Sequence, residues 1–427
     1  MKILILSQYW HPENGVPQRR WAWLTGILTK AGHDVFVVCP PPHYLRKINC
    51  RTWLKNRGYK LMTREEEGPH GESILRSGYI PAGNSLIAKA TNQLFVALGQ
   101  VVAIRRWSMI ARDAAPDLVI GTVPAIPTAA VAWYASRKLK VPYIIDLRDA
   151  WPQLIRYSRN WNDTHRPNGK ELGLLPARLL QLALRPVEYV LERCYAKAAG
   201  ILVTSERLGE ALSSTTLRGR DVPVKLVRNV FPIQSSRPKE DRYMREGLNV
   251  LYAGTLGRAQ DLENALTAAK IAQENGVKIC LRIVGSGAAR HALTVRAREM
   301  DLDISFEPRR PADDLSDLYD WADTALVHLT DWQPLEMTVP SKTYELMELG
   351  VHITGVVSGE TADLIEMLGA GSTVAPSDPE SLSALWCSLV QDRDLLSVSK
   401  KGRDWVAHQR NVVVPGTLLA FISSDGA

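Results

Sequence analysis

The 427-residue chain has little cysteine and no pattern to the little it has. Cys39, Cys50, Cys194, Cys280 and Cys387 are odd in number and far apart, with no CxxC and no clustered His, so neither a disulfide frame nor a zinc site is predicted. A reducing compartment is expected. No run approaches the roughly 18 apolar residues of a spanning helix, and the opening MKILILSQYW is too short for a signal segment, so the chain reads as neither secreted nor integral. There is no GxGxxG, which argues against a dinucleotide oxidoreductase. No period of 20 to 50 residues recurs, which excludes a solenoid.

What is present is ordinary globular composition, 45% apolar and 23% charged, over a length that suits two or three domains. The net charge of +7 is unevenly spread. Residues 1–228 hold 33 Lys/Arg against 17 Asp/Glu, whereas residues 229–427 hold 19 against 28. A basic half is expected to meet an anion, whether nucleic acid, a phospholipid surface or a phosphorylated substrate. No nucleic-acid-reading motif accompanies it.

Near-continuous apolar strands alternate with helical sequence in the first half: Lys2 to Ser7, Asp34 to Val38, Asp117 to Gly121, Tyr143 to Asp146 and Gly200 to Thr204. Strands of this kind are buried on both faces of a parallel sheet. A charged, Ser- and Pro-rich stretch interrupts the pattern at 229–247. The alternation restarts with Asn249 to Ala253, Lys278 to Val284, Asp303 to Phe306, Thr324 to Leu329 and His352 to Val357. The predicted fold class is α/β, two doubly wound parallel-sheet domains over 1–228 and 248–427 joined by a linker, with the last helix able to return to the first domain. Ligand is expected at the carboxyl ends of the strands.

Five turns after strands carry candidate chemistry. Ser7 to Pro17 holds Gly15, either a place for backbone amides to approach a ligand or a plain Pro/Gly turn. Asp146-Leu147-Arg148-Asp149-Ala150-Trp151-Pro152 closes a strand with three charges, which are paired, hydrated or used. Gly254-Thr255-Leu256-Gly257-Arg258-Ala259-Gln260 opens a helix, and a helix start beside an Arg is a diphosphate seat. Gly285-Ser286-Gly287 reads by itself as a tight packing turn. In Val339 to Gly350, Ser341 reads as an N-cap and Gly350 as the stop of a short helix. There Lys342 lies at the start, and Glu345 either accepts from ribose hydroxyls or sits on a solvated face.

The HPENG turn, DLRDAWP, YAGTLGRAQDLE, RIVGSG, VPSKTYELMELG and SGETADLIE, in this order, resemble the retaining nucleotide-sugar glycosyltransferases of the GT-B fold, family 4. The similarity is closest to the bacterial O-antigen and capsule subgroup that adds amino or deoxy sugars. The resemblance implies a donor held largely by the second domain, with Glu345 at the ribose. The first Glu of the family's E-x7-E falls on Met337, with Glu336 one residue early. Arg258 substitutes for the family's diphosphate cations, and Arg148 and Asp149 occupy a strand end where many relatives carry a His. Gly15, Gly254, Gly257, Arg258, Ser341, Lys342 and Glu345 are therefore the candidate donor-binding residues, and Asp149, Arg148 and Arg258 the catalytic ones.

The implied reaction is retaining and metal-independent, from a UDP-sugar donor, with no other cofactor. A polyprenyl-diphosphate-linked sugar is the expected acceptor. Residues 84–112 and 174–193, rich in apolar and basic side chains, read either as buried helices or as amphipathic helices on the anionic inner leaflet of the cytoplasmic membrane. The alternatives are an epimerase or hydrolase of the same fold, or a noncatalytic nucleotide-sugar binder.

Overall fold

The computed structural model describes residues 1–43, 48–81, 86–110, 115–123, 125–156, 174–236, 246–302 and 304–425. Each apolar run becomes a strand, interior to its sheet in every case but that of Asp303 to Phe306. In the first unit β1 (Lys2–Leu6), β2 (Asp34–Cys39), β3 (Met62–Glu67), β4 (Ser73–Ser77), β5 (Leu118–Val123), β6 (Tyr143–Leu147), β7 (Gly200–Val203) and β8 (Val224–Leu226) form one sheet in the order β3-β4-β2-β1-β5-β6-β7-β8. All pairings are parallel except β3 with β4. Ile3, Leu4, Ile5 and Leu6 are wholly buried, as a central strand covered on both faces requires.

This unit comprises Met1–Ile155, Leu179–Phe231 and Val412–Ala427. The helix Val414–Asp425 thus belongs to it: Phe421 lies so close to Gly200 that a Cβ there would come within 2.2 Å of its ring. Pro232–Asn411 forms the main body of the second unit. Its strands β9 (Leu248–Thr255), β10 (Ile279–Ser286), β11 (Ile304–Glu307), β12 (Thr324–His328), β13 (His352–Val356) and β14 (Gly371–Val374) are all parallel, in the order β11-β10-β9-β12-β13-β14. Leu248, Val250, Leu281 and Ile283 meet Leu262, Leu266 and Trp386 from the covering helices. Residues 237–245 of the stretch 229–247 lie outside the described residues.

The two basic apolar stretches are long helices, Leu86–Ile110 and Leu174–Tyr195. The first buries Asn92, Val96, Gln100, Ala103 and Ile104 yet leaves Leu94 and Leu98 exposed, so it is part core helix and part surface. Positions 84, 85, 111 and 112 of that stretch lie outside the described residues. Among the described residues no helix is long and apolar enough to cross a membrane.

Candidate functional site

In the second unit β9 leaves the sheet at the glycine turn. Leu256 N donates to Ser286 O at 3.0 Å and Ala289 N to Leu256 O at 3.0 Å, which locks this turn to the next one. The contact needs glycine: a Cβ on Gly285 would lie 1.9 Å from Gly254 O, and one on Gly287 2.0 Å from Leu256 O. Gly285-Ser286-Gly287 is thus a packing turn that shapes its neighbour. The Gly257 amide, expected to face an anion, donates instead to its own turn, to Gln260 Oε1 at 3.2 Å. Gly254 and Arg258 are exposed, and Arg258 begins a short 3-10 turn, Arg258–Gln260, ahead of the helix Leu262–Glu274.

Ser341 is not the N-cap. The helix is Ser341–Leu349, preceded by Pro340, and no side chain caps it. Pro340 supplies the extended backbone at the boundary, so Ser341 falls inside the first turn. The far end is as expected, with Gly350 in the left-handed region at φ 69°. Glu345 is buried, which excludes a solvated helix face. Its Oε2 pairs with Lys342 Nζ at 3.1 Å, and its Oε1 accepts from Tyr319 OH at 2.9 Å. Lys342 Nζ also donates to Tyr319 OH at 2.9 Å, closing a triangle. The triangle fixes the orientation of the Glu345 carboxylate.

His328, at the carboxyl end of β12, accepts from Asn264 Nδ2 through Nε2 at 3.1 Å; burial pulls its pKa down to about 3 against the backbone of Gln260. The ring is neutral, with Nε2 the unprotonated nitrogen. The Asp-x-Asp triplets Asp301-Leu302-Asp303 and Asp392-Arg393-Asp394 stand apart from these turns in sequence, and Asp392 Oδ1 is occupied by Asp394 N at 3.1 Å. Asp303 lies outside the described residues, among which no group of three His, Cys, Asp or Glu could hold a metal ion.

In the first unit the three charges after β6 separate into two kinds. Asp146 is wholly buried, with Arg20 Nη2 at 2.8 Å on Oδ1 and Trp21 Nε1 at 2.8 Å on Oδ2. Arg20, also wholly buried, continues to Val227 O at 2.7 Å and Asn229 Oδ1 at 3.0 Å. This is a structural tie between β6, the helix Val16–Lys30 and the exit of β8.

Arg148 differs. Its carbonyl accepts from Thr204 Oγ1 at 3.2 Å, but its side-chain Nε and Nη1 are buried with no hydrogen-bond partner among the described residues. Burial lowers its pKa while Asp146 and Asp149 oppose the shift. Burial raises that of Asp149, against the pull of Arg148. Gly15 precedes the helix Val16–Lys30, and a Cβ there would lie 2.6 Å from Gln18 Oε1, whose amide nitrogen donates to Glu13 at 3.2 Å. Gly15 therefore makes room for a side chain of its own turn.

Lys342 and Glu345 are brought together, Arg148 and Asp149 are neighbours, and Arg258 and Gly254 share one turn. Tyr319, Arg20 and Trp21 escape sequence reading because their partners lie 26, 126 and 125 positions away.

The glycosyl transferase 4-like domain family matches residues 15–229, and the glycosyl transferases group 1 family matches residues 236–405. No curated protein matches the chain in sequence. Among solved structures, sucrose-phosphate synthase of Thermosynechococcus elongatus is similar at 15% identity and TM-score 0.66, over 99% of this chain and 98% of that one. Anabaena HepE, in complex with UDP and glucose, is similar at 16% identity and TM-score 0.64, over 99% of both chains. WaaG, a glycosyltransferase involved in lipopolysaccharide biosynthesis, shares 14% identity and TM-score 0.61 over 98% of this chain and 99% of that one. At such identities the likeness is one of fold.

Proposed function

The chain belongs to the group 1 glycosyltransferases, with the GT-B fold, and from that premise we propose that it moves a sugar from a UDP-linked donor to a lipid-linked polysaccharide precursor at the inner face of the cytoplasmic membrane. The observation that carries the donor half is the buried Lys342–Glu345–Tyr319 triangle. A carboxylate held this way has little orientational freedom to lose, which suits it to accept from the hydroxyls of a ribose. HepE, the neighbour solved with UDP and with UDP-glucose, supports the choice of nucleotide.

Charge develops on the departing diphosphate, and fixed donors aimed at it supply most of the acceleration. Arg258, at the rim of the β9 turn, is assigned that role, together with Lys342 and the first turn of Ser341–Leu349. Gly254 and Gly257 shape that turn. No protein nucleophile is assigned: the acceptor hydroxyl attacks from the face the nucleotide leaves, with retention and without a metal. On the first unit, Arg148 presents two buried N–H groups that no described residue satisfies, and Asp149 lies beside it. Such groups are costly unless a ligand completes them, so both are assigned to the transfer.

The test is incubation of UDP-sugars with polyprenyl-diphosphate-linked acceptor in the presence of a chelator. UDP release that requires acceptor, with the donor's anomeric configuration kept in the product, is the expected result. Conversion of donor without acceptor would favour an epimerase or hydrolase, and donor binding without turnover a noncatalytic member.

A further inference from the structure

From residue 35 to residue 64 the chain carries no Asp or Glu and seven Lys or Arg. The part of this stretch from Asn49 to Lys60 is a fixed platform. Asn49 Oδ1 accepts from Thr52 N at 2.9 Å to cap the helix Cys50–Lys55, and Trp53 Nε1 donates to Tyr79 O at 2.6 Å. Tyr79 N returns a bond to Gly58 O at 2.9 Å. Trp53 also meets Tyr59 edge to face, with ring centroids 6.0 Å apart.

With Trp53 turned towards the body of the unit, the rest of the platform faces solvent. Leu54 is 56% and Tyr59 48% exposed, among the exposed cations Arg51, Lys55, Arg57 and Lys60. None of those four has an ion pair among the described residues. Glu65 and Glu67 come next in sequence, but β3 carries them about 10 to 16 Å down the sheet from Met62.

Asn56, Gly58 and Lys60 also wall a cleft of about 360 Å³ opposite Pro41, Arg76, Ser77 and Tyr79. Arg76 is already spent there on Glu66 at 2.9 Å, Cys39 Sγ at 3.3 Å, Pro40 O at 3.2 Å and His11 O at 2.9 Å. Of the two cations that line the cleft Arg76 is thus committed, and Arg51, Lys55 and Arg57 lie outside the lining, on the outer surface of the platform.

We infer that Asn49–Lys60 is a docking arm that seats the first unit on an anionic lipid bilayer. Leu54 and Tyr59 enter the interfacial region while Arg51, Lys55, Arg57 and Lys60 meet the headgroups. Apolar and aromatic side chains set among unpaired cations fit a bilayer surface, where each cation adds about fivefold in affinity and each buried apolar group adds more. A nucleic acid would use the cations but leave Leu54 idle. The arm gives a location to the membrane-borne acceptor proposed above, and it rests on that reading.

The experiment is flotation of the full chain with phosphatidylcholine vesicles, with and without about 30 mol% phosphatidylglycerol. The wild type is expected to float with the anionic vesicles only, less so as salt rises. R51E/K55E/K60E is expected to lose about 100-fold or more in partitioning, and L54S/Y59S about 25-fold or more, with UDP affinity unchanged in both as a check of folding. Wild type that ignores anionic vesicles would overturn the inference, as would both variants floating like wild type, or single-stranded RNA binding through these cations in place of vesicles. Loss of UDP binding in the wild type would instead strike at the proposed donor site and leave the flotation result standing.

Discussion

The carboxyl edges of the two sheets treat charge in opposite ways. In the second unit Lys342, Glu345 and Tyr319 satisfy one another within 3.1 Å, so the site is held ready before any ligand arrives. In the first unit Arg20 spends Nη2 on Asp146 at 2.8 Å and Nη1 on backbone and Asn229, leaving Nε unmatched, while Arg148, two residues along from Asp146, keeps two buried donors without a partner among the described residues. Of these charges Asp146 is spent on holding the fold together, and Arg148 is the one proposed to meet a ligand. A buried ion pair with most of its hydrogen bonds made reads as architecture, whereas a buried cation with several donors unmatched reads as a candidate site.

The largest effect should come from breaking the architectural half. Asp146→Ala leaves Arg20 wholly buried without its counter-ion and is expected to lower the stability of the first unit by about 3 to 5 kcal/mol, read by denaturant unfolding. Arg148→Met should behave in the reverse manner. Removing a buried cation that lacks partners leaves stability unchanged or slightly raised, while transfer activity falls about 100-fold. Stability loss as large as that of Asp146→Ala would place Arg148 in the architecture instead.

The buried carbonyl-end cluster of the second unit offers a smaller, pH-dependent contrast. His328 is neutral when folded, with a pKa near 3 against 6.5 for the free side chain. The unfolded chain therefore binds the extra proton as pH falls below about 6.5, and stability should drop by about 1.4 kcal/mol per pH unit towards pH 3 on this account. His328→Gln should flatten that part of the profile, measured by thermal unfolding across pH. An identical slope in the variant would assign the acid sensitivity to other groups.

How much of this was legible in the sequence follows burial. Interior strands such as Lys2–Leu6 and Tyr143–Leu147 announce themselves as apolar runs because both their faces are covered. Met62–Glu67, Val224–Leu226 and Gly371–Val374 do not, for they lie at sheet edges, where short and polar sequences suffice; of the four edge strands Ile304–Glu307 alone is read from its sequence. Ser73–Ser77, next to an edge, is hidden in the same way. The candidate turns were readable because glycine and charge after a strand are local signals. Their division of labour was not: that Asp146 is spent and Arg148 unspent depends on Arg20 and Trp21, far off in the chain, and the role of Pro340 displaced Ser341 from the cap.

The central claim is that Glu345 is the preorganised ribose contact of a UDP-sugar site. Calorimetric titration of UDP, GDP and ADP into wild type and Glu345→Gln, without metal, tests it most directly. Selective UDP binding that weakens about 10-fold or more in the variant, the loss of charged hydrogen bonds, is the predicted result. Equal affinity in the two proteins, or no nucleotide bound by the wild type, would contradict it.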